Sequence, residues 1–219
     1  MLLHYVGANG IELERQMQSP PNATQVMSLL LDRGAEPDAT CDVYGGGPSM
    51  TTLCLIVSSC VPAEAGVQAP LVEVLCRGGA SPDGPEDDGT PLLTAISFGY
   101  TEAAEELVRC GARVDNLVLH AALGDLAGVR GYFGDDGGLI AEADWAGLAG
   151  RMDVPEDKLL EYALIEAALH GRREVVEFLL GKSPDLTFAA PGWGYTASGA
   201  ARYVGHTEIA ELIDARRAG

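Results

Sequence analysis

Apolar residues recur every three or four positions along much of the chain, and the stretches that carry this spacing come in pairs. In 87–115, DDGTPLLTAISFGYTEAAEELVRCGARVD, one stripe is Leu92, Ala95 and Ile96, and a second is Ala103, Ala104, Leu107 and Val108. That period marks amphipathic helices. Thr90-Pro91 predicts the start of the first helix, because a proline in the opening turn gives up an N–H that has no intrahelical partner. Gly99 predicts its end in a left-handed conformation. Gly111-Ala112 closes the second helix, and Asp115 opens the next turn. Together they make a helix–turn–helix–loop unit of about 33 residues.

Weaker copies surround this one. GYTASGAARYVGHTEIAELI (194–213) keeps Gly194, Thr196, Ala201, Gly205-His206 and Leu212-Ile213, and YALIEAALHGRREVVEFLL (162–180) keeps Leu164, Ala167-Ala168, Gly171 and Leu179-Leu180. Thr51, Leu53, Leu71-Val72, Gly79-Ala80 and Asp83 outline another copy. VMSLLLDRGAEPD (26–38) reads as the second helix of a unit begun by LLHYVGANG, and LVLHAALGDLAGVRGYF (117–133) follows Asp115 with almost no hairpin. The units are placed at 1–40, 41–83, 84–115, 116–138, 159–190 and 191–219, with 139–158 inserted. Segments 11–22 and 61–69 read as insertions between paired helices. A third, 134–158, runs from Asp135-Asp136-Gly137-Gly138 into an Ala-rich helical stretch with Trp145.

The order T-P-L-x-x-A-x-x-x-G, then a Leu-Val pair, then G-A-x-x-D resembles the ankyrin repeat. The resemblance extends over nearly the whole chain, and LLHYVGANG, PPNA, VYGGG and PAEAGVQ are similar to a bacterial subgroup of ankyrin proteins. It implies an all-α ankyrin-repeat solenoid of six helix-turn-helix units, several degenerate, in one domain over 1–219. It also implies a concave strip of hairpin tips and first helices, where ankyrin proteins usually bind partners. On this sequence the strip holds Asp42 and Tyr44, then Glu86, Asp87, Asp88, Thr94 and Ser97, then Trp193, Tyr195 and Tyr203. Tyrosine and tryptophan are favoured interface anchors.

Composition narrows the function. The 219 residues are 47% hydrophobic but only 6% aromatic, so the core is built mainly from Ala, Leu and Val. Lys+Arg 14 against Asp+Glu 32 leaves −18, which argues against direct binding of nucleic acid through its phosphates. The acids at 83 and 86–88 read first as a solvated loop, with a docking patch for a basic protein partner, charge steering the encounter, as the functional alternative. Met1-Leu2-Leu3 is followed at once by His4, Gly7, Asn9 and Gly10, so neither a signal peptide nor a membrane span is expected. Five cysteines without a CxxC spacing predict buried free thiols in a reducing cytoplasm, with no metal and no cofactor.

Signals for chemistry are sparse. Tyr44-Gly45-Gly46-Gly47-Pro48-Ser49 lacks the lysine of a phosphate loop, and Pro48 lacks an amide donor, so an elongated finger is expected. His4, His170 and His206 sit at repeat positions whose histidines tie ankyrin hairpins together, as the resemblance implies, and none makes HxxxH or HxH. His120 alone is misplaced, and with Asp125 it forms the pair to test for catalysis. Ser58-Ser59-Cys60 ends a first helix without a GxSxG elbow, and Cys60 is expected to be buried at that end. The leading expectation is a protein-interaction module without catalysis of its own, with dimerisation through an uncapped first unit as one way to cover that end. Two other classes stay open: an enzyme or small-ligand binder walled by 11–22, 61–69 and 134–158, and an acidic inhibitor that mimics nucleic acid.

Overall fold

The computed structural model describes residues 19–42, 49–140 and 155–218. The chain is mostly helical and divides into two compact units, Met1–Arg113 and Val114–Gly219. The first holds α1 (Ala23–Asp32), a hairpin of β1 (Thr40–Asp42) and β2 (Ser49–Thr51), α2 (Thr52–Val57), α3 (Cys60–Glu64), α4 (Gln68–Arg77), α5 (Thr90–Ser97) and α6 (Thr101–Arg109). The second holds α7 (Leu117–Leu123), α8 (Leu126–Gly131), a 3-10 turn (Glu156–Lys158), α9 (Leu159–Leu169), α10 (Arg173–Leu180), α11 (Ala197–Tyr203) and α12 (Thr207–Ala218). Among the described residues no helix is long and apolar enough to cross a membrane.

Within each unit the helices form two layers. In the first, α2 packs on α5 while α1, α4 and α6 make the other row, and α2–α4 and α5–α6 pack as pairs. In the second, α7, α9 and α11 line up against one another, and α8, α10 and α12 lie behind them. Short apolar helices need this arrangement, because one pair cannot bury both its faces alone. The middle helix shows it best. Residues 159 and 161–168 of α9 are all buried, since neighbours cover it on every side.

The joints repeat with the helices. After α5 the Gly99 amide donates to Ile96 O (2.8 Å) and the Tyr100 amide to Ala95 O (2.9 Å), while Gly99 sits at φ +76°. This double closure needs a left-handed residue, and glycine takes that conformation without a Cβ penalty. The same two bonds recur after α7 at Gly124 and Asp125, after α9 at Gly171 and Arg172, and after α11 at Gly205 and His206. The second helices α1, α4 and α6 close alike at Gly34-Ala35, Gly79-Ala80 and Gly111-Ala112. Between successive pairs, a carboxylate accepts a main-chain amide of the next: Ser81 to Asp38 (3.1 Å) and Arg113 to Asp83 (2.9 Å). Within the α9–α10 pair, the Asp185 amide donates to Glu161 Oε1 at 3.1 Å. Arg172 Nε caps α7 by donating to Ala122 O at 2.8 Å.

Several expectations are corrected. Residues 60–64, overlapping the expected insertion 61–69, form α3, with Ser59 Oγ accepting from the Val61 amide at 3.3 Å and Val61 and Pro62 buried. Cys60 is exposed, not buried, because the α3 that buries Val61 and Pro62 leaves Cys60 on its outer side. Of the other thiols only Cys54 is fully buried. Val108 is half-buried, whereas Glu106 lies in the interior with Arg109 Nη1 2.5 Å away. The segment after α8 starts as a tight loop, with Phe133 bridged to Leu139 and the Gly134 amide donating to Gly138 O at 2.9 Å. Tyr44 and the glycines beside it, His4, Trp145, residues 11–18 and residues 141–154 lie outside the described residues.

Candidate functional site

The acidic tip at 83–89 is a closed electrostatic knot. Asp83 is 7% exposed; its carboxylate accepts from the Arg113 amide, and Arg113 Nε lies 3.5 Å from its other oxygen. The Asp83 carbonyl accepts from the amides of Asp88 (3.0 Å) and Gly89 (2.9 Å), which fixes the curl of the loop. Arg113 reaches on to Asp87, donating from Nη2 to its carbonyl at 2.6 Å and bringing Nη1 3.4 Å from its carboxylate. Asp88 Oδ1 accepts from the Thr90 amide at 2.9 Å and so sets up the entry to α5. Glu86 alone of the four acids projects from the exposed part of the loop with no partner assigned to it. The run that reads as a docking patch spends most of its charge on the chain itself. Arg113, which neutralises it, lies 30 positions from Asp83, and only its place just past Gly111-Ala112 hints at the pairing.

The hydroxyls on α5 behave similarly. Thr94 Oγ1 donates to Thr90 O at 2.7 Å and Ser97 Oγ to Leu93 O at 2.8 Å, and both residues are half-buried. At the end of the same helix Phe98, 44% exposed, lies parallel to Tyr100 with ring centroids 6.2 Å apart. Phe98 was not singled out by sequence, because it follows the apolar stripe of α5 and reads as core.

The tip before α11 presents rings instead of charges. The Gly194 amide donates to Ala190 O and the Ala190 amide to Tyr195 O, both at 2.9 Å, so the loop folds back on itself. Trp193 is 55% and Tyr203 70% exposed, and Tyr195 stacks on Tyr203 with centroids 5.2 Å apart. Thr196 Oγ1 caps α11 by accepting from the Gly199 amide at 3.3 Å, and the stack joins the residue before this cap to the last residue of the helix. Val204 continues the apolar surface. Beside it Arg202 pairs with Asp214, and this guanidinium holds the Asp214 carboxyl below the usual carboxylate range. The three aromatic residues picked out by sequence thus fall on one loop-and-helix corner.

His120 and Asp125 do meet. His120 Nδ1 lies 2.8 Å from Asp125 Oδ2, while Asp125 Oδ1 accepts from the Gly128 amide at 3.0 Å to cap α8. The Gly128 amide first, and His120 second, hold the Asp125 carboxyl below its ordinary value. Tyr132 tilts against the imidazole at 5.8 Å. A Cβ at Gly128 would collide with the imidazole, so the glycine is what lets ring and cap coexist. The pair clasps the turn between α7 and α8.

Two shallow grooves open on the side of the glycine turns. One, of about 310 Å³, is lined by residues such as Gln68, Tyr100 and Glu102; the other, of about 460 Å³, by Gly171, Arg173, His206 and Glu208 among others. Inside the second unit, Glu166 is fully enclosed on α9, and burial pushes its carboxyl up to about 8. Its Oε2 has no hydrogen-bond partner, and His170 Nε2 stands 3.9 Å away. The sequence matches no family model, and no curated protein is significantly similar to it.

Proposed function

We propose that the chain is an ankyrin-like array of helix pairs that serves as a protein-interaction module, with its partner seated on the Trp193–Tyr195–Tyr203 corner. The observation that carries this reading is the exposure of Trp193 and Tyr203 on one corner, with half-buried Tyr195 stacked on Tyr203. A chain with so few aromatic residues gains nothing in folding from rings left in water, whereas rigid rings with polar tips make low-entropy interface anchors. The ankyrin reading is supported by the recurring double closure at Gly99, Gly124, Gly171 and Gly205, and by carboxylates that accept amides from the next pair. Net charge −18 favours a partner with a basic face, and the free thiols fit a cytoplasmic setting.

The test is a quantitative pull-down from an extract of the source cells, comparing the parent chain with Trp193→Ala/Tyr203→Ala and with Glu86→Gln. A protein retained by the parent and by Glu86→Gln, and reduced at least about tenfold by the aromatic double variant, is the expected result. Equal retention by all three baits would remove the aromatic corner from the account.

A further inference from the structure

Two thiols outside the proposed interface belong to one another. Cys76 lies in the last turn of α4, Cys110 directly follows α6, and these two helices pack side by side. The two thiols are near enough to act on each other's acidity, Cys110 raising Cys76 and Cys76 lowering Cys110, while the Cys110 S–H donates to Glu106 Oε1 at 3.8 Å. The repeat itself dictates the encounter. One pair earlier, Leu31 stands three residues before Gly34 and Gly78 one residue before Gly79. A Cβ placed at Gly78 would lie 2.6 Å from Leu31 Cδ1. Cys76 stands three residues before Gly79 and Cys110 one before Gly111, so the two sulfurs occupy the same facing positions one pair further along. At the first joint glycine makes room for leucine; at the second, both sides carry sulfur.

We propose that Cys76 and Cys110 form a site of reversible oxidation, closing to a disulfide that joins the second helices of two successive pairs. Neither thiol ionises readily, because burial raises both above the ordinary thiol value, and the neighbouring Cys110 raises Cys76 further. Cys110 is the attacking group, since Cys76 beside it lowers its thiol whereas Cys76 itself is raised from both causes. With a low-molecular-weight disulfide as oxidant, the Cys110 thiolate forms a bond to one of its sulfurs, and the other leaves as thiolate with the bonding pair. Cys76 then loses its proton to solvent and attacks Cys110 Sγ, expelling the second small thiolate. Two protein thiols become one disulfide, and one small disulfide becomes two thiols.

Glutathione disulfide is the probe. The folded chain is incubated with it at pH 8, quenched by alkylation and mapped as peptides without reduction. The expected map shows a Cys76–Cys110 cross-linked peptide reopened by dithiothreitol, and Cys76→Ser converts it into a persistent glutathione adduct on Cys110. A parent chain whose Cys110 stays glutathionylated beside a free Cys76 overturns the proposal. So does one in which both remain free once exposed Cys60 is fully modified. The parent map needs no variant to fold, and it leaves the aromatic corner untouched.

Discussion

The loops before α5 and before α11 occupy the same place ahead of a first helix, yet they are finished in opposite ways. At 83–89 one guanidinium ties Asp83 to Asp87, Asp88 caps the entry to the helix, and Asp83 is almost wholly buried. At 190–196 the loop closes through main-chain bonds and the Thr196 cap, Tyr195 stacks on Tyr203, and Trp193 and Tyr203 stay largely in solvent. A charge run can therefore be framework while rings are display. How far a side chain stands in solvent separates the two better than its chemical type does.

The largest expected effect contrasts Asp83, whose charge is met, with Glu166, whose charge is not. In the unfolded chain the Glu166 carboxyl titrates near 4.5, and in the folded chain near 8. Between those values the folded state holds a proton that the unfolded state has released. Stability is thus full below pH 4.5, falls as pH rises through the window, and levels off above 8. Glu166→Gln should flatten that decline, which amounts to up to roughly 4 kcal/mol, in denaturant midpoints taken from pH 5 to 8.5. A variant with the parent's slope would show that Glu166 does not titrate there.

Next in size is Asp83→Ala. It strands the Arg113 amide and guanidinium and should cost about 2–3 kcal/mol in urea unfolding, whereas Glu86→Gln in the same loop should stay within about 0.5 kcal/mol. Equal costs would dissolve the distinction between framework acid and surface acid. Gly171→Ala meets both a φ of +71° and the His206 ring, 2.7 Å from where a Cβ would stand, and should lose about 2 kcal/mol. Adding His206→Ala should return the steric part but not the part due to φ. Smallest is Tyr203→Ala, expected to change stability by less than about 1 kcal/mol, since the ring is mostly in water. A larger loss would make the ring stack structural.

Much of the helix pairing is legible in the residues, because its signals are local. Thr90-Pro91, Gly99 and Gly111-Ala112 each act within one turn, and the structure places helix ends where they stand. What escapes the sequence depends on distant contacts. Arg113 joins Asp83 across 30 positions, and Glu106, Glu161 and Glu166 read as surface charges although each is buried against another element or inside α9. Pro62 reads as a breaker, yet α3 accepts it in its first turn. Of the candidate site residues, the aromatic trio and the His120–Asp125 pair come together as their spacing suggests. Among the acids, Asp83 and Asp87 meet the chain's own Arg113 and Asp88 meets the Thr90 amide.

The most direct measurement places a photoreactive benzophenone side chain at position 203, and in a second preparation at position 86, and irradiates each in an extract of the source cells. The account predicts one discrete adduct from position 203, suppressed by excess parent chain but not by Trp193→Ala/Tyr195→Ala, and none from position 86. An adduct from position 86 alone, or competition by the ring-less chain as strong as by the parent, would contradict it.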